Sequence, residues 1–267
     1  MRRLKISSSR HGLGALLFYR ELIRNLVLKD LKLKYRDSAL GFFWSLANPL
    51  LVILVYSFVF TRMLRVDVPA FPYFLMVGIL PWNFFSQSLM MSTVSILDNA
   101  SLIRKVWLPI EVFPIAAVFF NLVQYLLALA VLFPIAILFF RIPFSWSVVA
   151  FLPVLMLHVL FTLGLSFLAS TATVFYRDVR HFTDIFLMLL FWLTPIVYDV
   201  RSLPESLRRM IYFNPVSFFI ASYQDILYRQ SFPTLGSLFA LLFLSLSSLT
   251  LGYLLFYNYK VRFPEEV

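Results

Sequence analysis

There is no cysteine anywhere in the 267 residues. That excludes a disulfide framework, a thiolate nucleophile and a thiolate metal site. Histidine is scarce: His11, His158 and His181 lie far apart, and no HExxH-type spacing occurs. No GxxxxGK[ST] phosphate loop is present, so this polypeptide is not expected to bind ATP itself. No Ser/His/Asp arrangement is suggested, and no two carboxylates face each other at a shared depth. Internal repeats, paired interrupted helices of the secondary-transporter kind and domain linkers are all missing. The first 40 residues carry no signal-type apolar region followed by a cleavage site.

Charge is also scarce. Only 13% of residues are charged, where a soluble domain has about 25%. Hydrophobic residues make up 61% and the mean hydropathy is +0.86. The composition is that of an integral membrane protein, all-α, with one membrane domain. A net charge of +10 would suggest nucleic acid in a soluble protein. Here its distribution points to membrane orientation and anionic lipid head groups, with no nucleic acid partner.

Six apolar runs are expected to span the membrane, at about 38–62, 72–97, 112–140, 147–175, 183–199 and 234–258. Crossing takes about 20 residues at 1.5 Å each. Five runs meet that, and the fifth in order is the shortest and contains Pro195. Prolines 81, 114, 134, 153 and 195 predict kinked spans whose freed backbone groups are satisfied by neighbours. The positive-inside rule places both termini in the cytoplasm, because residues 1–37 hold 10 of the 23 Lys and Arg. The chain thus divides into a cytoplasmic segment 1–37, a transmembrane domain 38–259 and a cytoplasmic tail 260–267.

Within the first segment, Ala15–Arg36 is helical in pattern. Tyr19, Leu22, Ile23, Leu26, Val27 and Leu33 share one face. Arg20, Arg24, Lys29, Lys32 and Arg36 share the other, with Asp30 and Lys34 intruding on the apolar side. This is an amphipathic interfacial helix, or equally one packed on a partner protein. Between the second and third spans lies Asp98–Glu111, DNASLIRKVWLPIE. Asn99 or Ser101 can cap a helix there. Leu102, Ile103 and Val106 fall on one side, Arg104 and Lys105 lie off it, and Pro109 ends the element. On local pattern it reads either as a solvated loop or as a surface helix on which a partner could push. In the outer segment Asp199–Pro233, Ser202–Glu205 reads as a capping box and Asn214-Pro215 as a cap followed by proline. Helices over about 203–213 and 215–229 are predicted, forming a re-entrant or surface-lying hairpin or a simple outer cap.

His158 is the one deep ionisable candidate, and a lone intramembrane histidine is more often a packing residue. Aromatic residues, at 18%, are abundant. Trp44, Trp82, Trp107 and Trp146 lie near expected span ends, as an interfacial belt requires. Tyr56, Phe60, Phe85, Phe191 and Trp192 fall inside or near spans, where they either pack between helices or form a smooth track for sugar faces.

Taken together, DLKLKYRDSALGFFWSLANPLL, LPWNFFSQSLMMSTVSILDNASLIRKVWLP, VFYRDVRHF and NPVSFFIASYQDILY resemble the type-2 ABC exporter permeases, in particular those exporting O-antigen and teichoic-acid polysaccharides. The most specific matches are Tyr35-Arg36 with Ser38, Leu40-Gly41 and Trp44 ahead of Pro49, then Asn99 through Pro109 with Leu102-Ile103-Lys105. Arg177-Asp178 and Asn214-Pro215 add support. The resemblance implies six spans, a homodimer in the cytoplasmic membrane, and two separate ATP-binding subunits that hold ATP and Mg, leaving this chain without a cofactor or metal. It implies that Asn99–Pro109, Trp107 included, is a coupling helix seated on the ATPase subunit, with the basic face of the N-terminal helix against the same subunit. It implies an outer gate at Asn214, Pro215, Phe218 and Phe219. A lipid-linked polysaccharide would pass a channel at the dimer axis, with Trp44, Tyr56, Phe60, Phe85, Phe191, Trp192 and Tyr198 as candidate lining aromatics. The rival readings are an exporter of a drug or lipid, and an intramembrane lipid-linked glycosyl or acyl transferase built around His158.

Overall fold

In the computed structural model, residues 19–36, 43–106, 108–143 and 145–267 are described, apart from the side chain of Ser45. The expectations that fall on residues 1–18, on Ser38, Leu40 and Gly41, and on Trp107 lie outside them. The described residues form helices and no strand. In order these are α1 (Arg20–Tyr35), α2 (Phe43–Phe58, continued by a π-turn Val59–Met63), α3 (Phe71–Val94), α4 (Ala100–Lys105), α5 (Val112–Phe140), α6 (Phe151–Phe175, entered through the 3-10 turn Trp146–Ala150), α7 (Val179–Leu193), α8 (Glu205–Ile211), α9 (Pro215–Tyr223, continued by a π-turn Gln224–Tyr228), α10 (Leu235–Tyr259) and α11 (Phe263–Glu266).

Five stretches among the described residues are long and apolar enough to cross a bilayer: Leu46–Met63, Phe71–Val94, Val112–Phe140, Trp146–Phe175 and Leu235–Tyr259. The protein is a multi-pass membrane protein. The remaining expected span, 183–199, is displaced. Its helix α7 has 15 residues and ends at Leu193. Thr194 adopts φ −98° and ψ 137°, because the ring of Pro195 drives its predecessor out of the α region. The prolines thus differ in effect. Pro81 and Pro134 sit inside helices. Pro114 and Pro153 occupy first turns, where no intrahelical N–H is lost. Pro195 terminates a helix instead of kinking one.

α3 is the central element, with most of its length buried against α5, α6 and α7. Trp82 therefore does not join an interfacial belt. It lies midway along α3, 5% exposed, with its ring 5.7 Å from that of Phe191. His158 is fully buried between aromatic rings, 4.7 Å from Phe219 and 5.2 Å from Phe84, and its Nδ1 lies 3.4 Å from the Tyr223 hydroxyl. In hydrocarbon, apolar side chains gain little by leaving lipid, so close packing and hydrogen bonds hold the bundle together. The α6–α10 seam shows this most clearly. Ser245 and Ser248 of α10 donate to the carbonyls of Leu157 and Phe161 at 2.7 and 2.9 Å. At the same seam the backbones of Gly164 and Gly252 touch, so that a Cβ on Gly252 would collide with the Gly164 carbonyl.

Candidate functional site

At one end of the bundle, three segments meet on a second apolar cluster built from Ile96, Val112, Phe113, Phe167 and Phe256. α1 is the first. It buries Leu26 and Val27, leaves Tyr19, Leu22 and Ile23 partly covered, and exposes Arg20, Arg24, Lys29, Lys32 and Arg36. Leu33 departs from the expected apolar face and is 56% exposed. The Tyr35 hydroxyl donates to Gln124 Oε1 on α5 at 2.7 Å, fixing the far end of α1.

The second segment is the polar island. A 3-10 turn Leu97–Asn99 leads into α4, which has six residues. Neither expected cap operates. Asn99 occupies the N-cap position, but its side-chain Nδ2 turns back to the Ser95 carbonyl at 2.8 Å. The helix also ends before Pro109 can act, at Lys105, with Val106 extended. Ile103 is the anchor, 9% exposed, with Leu102 partly covered. Arg104, Lys105 and Val106 project outward, and Pro109 begins the return to α5.

The third segment had no signal beyond a basic, acidic-ended tail. α11 folds back beneath α4, burying Phe263 fully against Phe256 and Phe175 and nearly burying Val267. Arg104 donates to the backbone oxygen of Val267. Lys260 pairs with the buried Glu111 at 2.7 Å, tying the end of α10 to the start of α5. Single phenylalanines at chain ends carry no periodicity, so composition offers no hint of this packing.

The expected channel aromatics separate into groups. Tyr56, Phe60, Phe191 and Trp192 come together, with Phe191 6.2 Å from Tyr56 and 5.4 Å from Trp192. Tyr56, Phe191 and Trp192, with Trp82, border a cleft of about 370 Å³ between α2, α3 and α7. Tyr198 is tied to the end of α7 by a hydroxyl bond to the Trp192 carbonyl at 3.3 Å. Trp44 lies elsewhere, on the opposite flank of α2, and Phe85 is 1% exposed, stacked between His158 and Phe161 in the protomer interior.

At the far end, the two short helices of the outer segment form as expected, but the capping box does not. Asp199, not Ser202, caps the turn preceding α8, and Pro204 occupies the N-cap position of α8. Asn214 does cap α9, accepting from the Val216 N–H at 3.0 Å and donating to Thr194 Oγ1 at 2.8 Å. Pro215 is the first residue of α9. Phe218 is partly covered beside Tyr212, while Phe219 is fully buried on His158 and Phe161.

Similarity to known proteins decides the class. The model of the family described as ABC-2 type transporter matches residues 21–228, well over half of the chain. The chain belongs to the ABC-2 type transporter family. Within it, the chain is 34% identical over 251 residues to an O-antigen export system permease protein RfbA of Myxococcus xanthus, covering 93% of this chain and 96% of that one. It is 33% identical over 257 residues to an RfbA protein of Klebsiella pneumoniae, covering 96% and 97%. This ABC-2 chain therefore presents, at one end, a small basic helix that meets α1 and α11 on one apolar cluster. At its side it presents an aromatic cleft.

Proposed function

We propose that the chain is the membrane-spanning permease subunit of an ATP-driven exporter of lipid-linked polysaccharide, of O-antigen or teichoic-acid type. Two copies assemble in the cytoplasmic membrane with two separate ATP-binding subunits, which carry ATP and Mg. α7, with the turns that follow it, makes the sixth crossing, so both termini and α4 lie in the cytoplasm. The observation that carries the reading is α4 itself: anchored inward by Ile103, it offers Arg104, Lys105 and Val106 outward. A helix held on one face and free on the other can transmit displacement from a partner to the helices beneath it. Names of the RfbA relatives supply the cargo class, and the cleft edged by Tyr56, Phe191 and Trp192 supplies faces suited to sugar rings.

The intramembrane-transferase reading has little room. His158 is fully buried among aromatic side chains, away from any substrate surface. The decisive experiment is Val106→Asp in a cell that depends on this chain for surface polysaccharide. The expected result is export lost by more than tenfold, with normal membrane insertion and ATPase activity that no longer responds to cargo. Normal export in the Val106→Asp cell removes the coupling role from α4. Normal surface polysaccharide after deletion of the gene removes the cargo class.

A further inference from the structure

Beside the cleft toward α7, a second cavity of about 430 Å³ opens on the other flank of α2, between α2, α3 and α5. Its wall is unusual for a membrane bundle. Asn48, Asn83, Gln87, Asn121 and Gln124 all line it, and Lys34 stands at its rim. Carboxamides exposed at membrane depth are costly unless a polar partner meets them. Asn121 is satisfied, donating to the Ala117 carbonyl at 2.9 Å. Gln124 is not. It is 9% exposed, its Oε1 is taken by Tyr35, and its Nε2 donor has no partner.

Lys34 is the one cation of this wall. Among the described residues no carboxylate lies within ion-pair distance of it, and its ammonium sits 5.6 Å from the Phe120 ring centroid. Partial burial there lowers its pKa below the ordinary lysine value. An adjoining cavity of about 520 Å³ shares Lys34, Gln87 and Asn121 and extends to Arg180. The acidic residue there, Asp30, pairs with Lys29 at 3.5 Å. Leu51, exposed at the cavity edge, opens onto the apolar face of α2.

Amide donors, one unpaired ammonium and an apolar exit are what a phosphate ester on an acyl or prenyl chain requires. We propose that this cavity binds the phosphorylated head group of a membrane lipid, with Lys34 and Gln124 on the phosphate oxygens and the chain leaving past Leu51. The site stands on the membrane placement of the chain and not on the exporter reading. Its ligand is either a resident anionic phospholipid or a polyprenyl diphosphate.

The test is native mass spectrometry of the full chain, purified in mild detergent. It is titrated separately with phosphatidylglycerol, with farnesyl diphosphate as a short polyprenyl diphosphate, and with inorganic pyrophosphate. Lys34→Ala and Gln124→Leu should each weaken lipid binding at least tenfold, and Lys34→Arg should retain it. Elution volume and helicity are checked for each variant. Loss confined to phosphatidylglycerol identifies a resident lipid, and loss confined to farnesyl diphosphate identifies a prenyl ligand. Unchanged binding of both lipids in well-folded Lys34→Ala and Gln124→Leu overturns the site. Pyrophosphate binding as tightly as either lipid overturns its assignment to a lipid.

Discussion

At the end of the bundle that carries α1, the polar island rests on apolar contact. Ile103, Phe263, Leu26 and Val27 pack together, and the polar ties among the described residues include Arg104 to the Val267 backbone, Lys260 to Glu111 and Asn99 to Ser95. At the opposite end the hairpin after α7 buries Val216, Phe219, Ile220, Tyr223 and Ile226 in the main apolar core and adds a set of polar ties. Arg229 pairs with both Asp199 and Asp225, and Arg201 pairs with Asp225 at 2.9 Å. The Tyr73 hydroxyl donates to the Leu227 carbonyl, Tyr228 to that of Pro69, and Gln224 Nε2 to that of Pro195, at 2.7, 2.6 and 2.6 Å. Apolar contact has no preferred direction and tolerates small shifts, whereas a set of directional bonds resists them until it breaks as a unit. The first end is held largely by contacts without direction, while the second adds several directional bonds to its apolar packing.

The largest expected effect tests the directional end. Arg229, 11% exposed at its side chain, is the counter-ion shared by two carboxylates. Arg229→Ala leaves Asp199 without a counter-ion, Asp225 keeping Arg201, and is expected to cost about 3 kcal/mol, read as a fall in detergent melting temperature. Hydrogen exchange should rise over residues 199–230 and stay unchanged over 95–111. Next comes the apolar end. Phe263→Ala removes a fully buried aromatic ring, at about 3 kcal/mol. Here exchange should rise over 95–111 and 260–267 while the hairpin keeps its protection. If either variant loosens both ends equally, the two are one cooperative unit and the contrast fails. The smallest effect belongs to Arg104→Ala. Its hydrogen bond joins an exposed side chain to the Val267 backbone, so stability should fall by under about 1 kcal/mol.

Long apolar runs were the legible part of this molecule. The run 112–140 coincides with α5, and 234–258 lies within one residue of α10 at each end. Asn214 was legible too, because an Asn-Pro step joins a capping side chain to a ring that needs no N–H. What escaped depends on contacts between distant residues. Pro195 stands in an apolar run that hydropathy cannot divide, yet its ring stops α7. Trp82 looked like an interfacial residue only while the depth of α3 was unknown. Ser202 has the spacing of a capping box, but Asp199 reaches the free N–H groups first. Among the candidate functional residues, Arg104 and Lys105 were readable as the outward side of α4 from side-chain type, but Val106, expected on the apolar side with Leu102 and Ile103, is 49% exposed. The burial of Phe85 and Phe219 was not readable, since nothing local separates a core aromatic from a channel aromatic.

The contact between Gly164 and Gly252 bears on how the two ends communicate. Two helices whose backbones touch, with serine hydroxyls of one bonded to carbonyls of the other, cannot slide or roll without losing those bonds. Mechanically, α6 and α10 are a single beam. One end of that beam carries Lys260 and α11 beneath the polar island, and its flank near the other end holds His158 against α9. Helices joined this closely are expected to tilt together as one body.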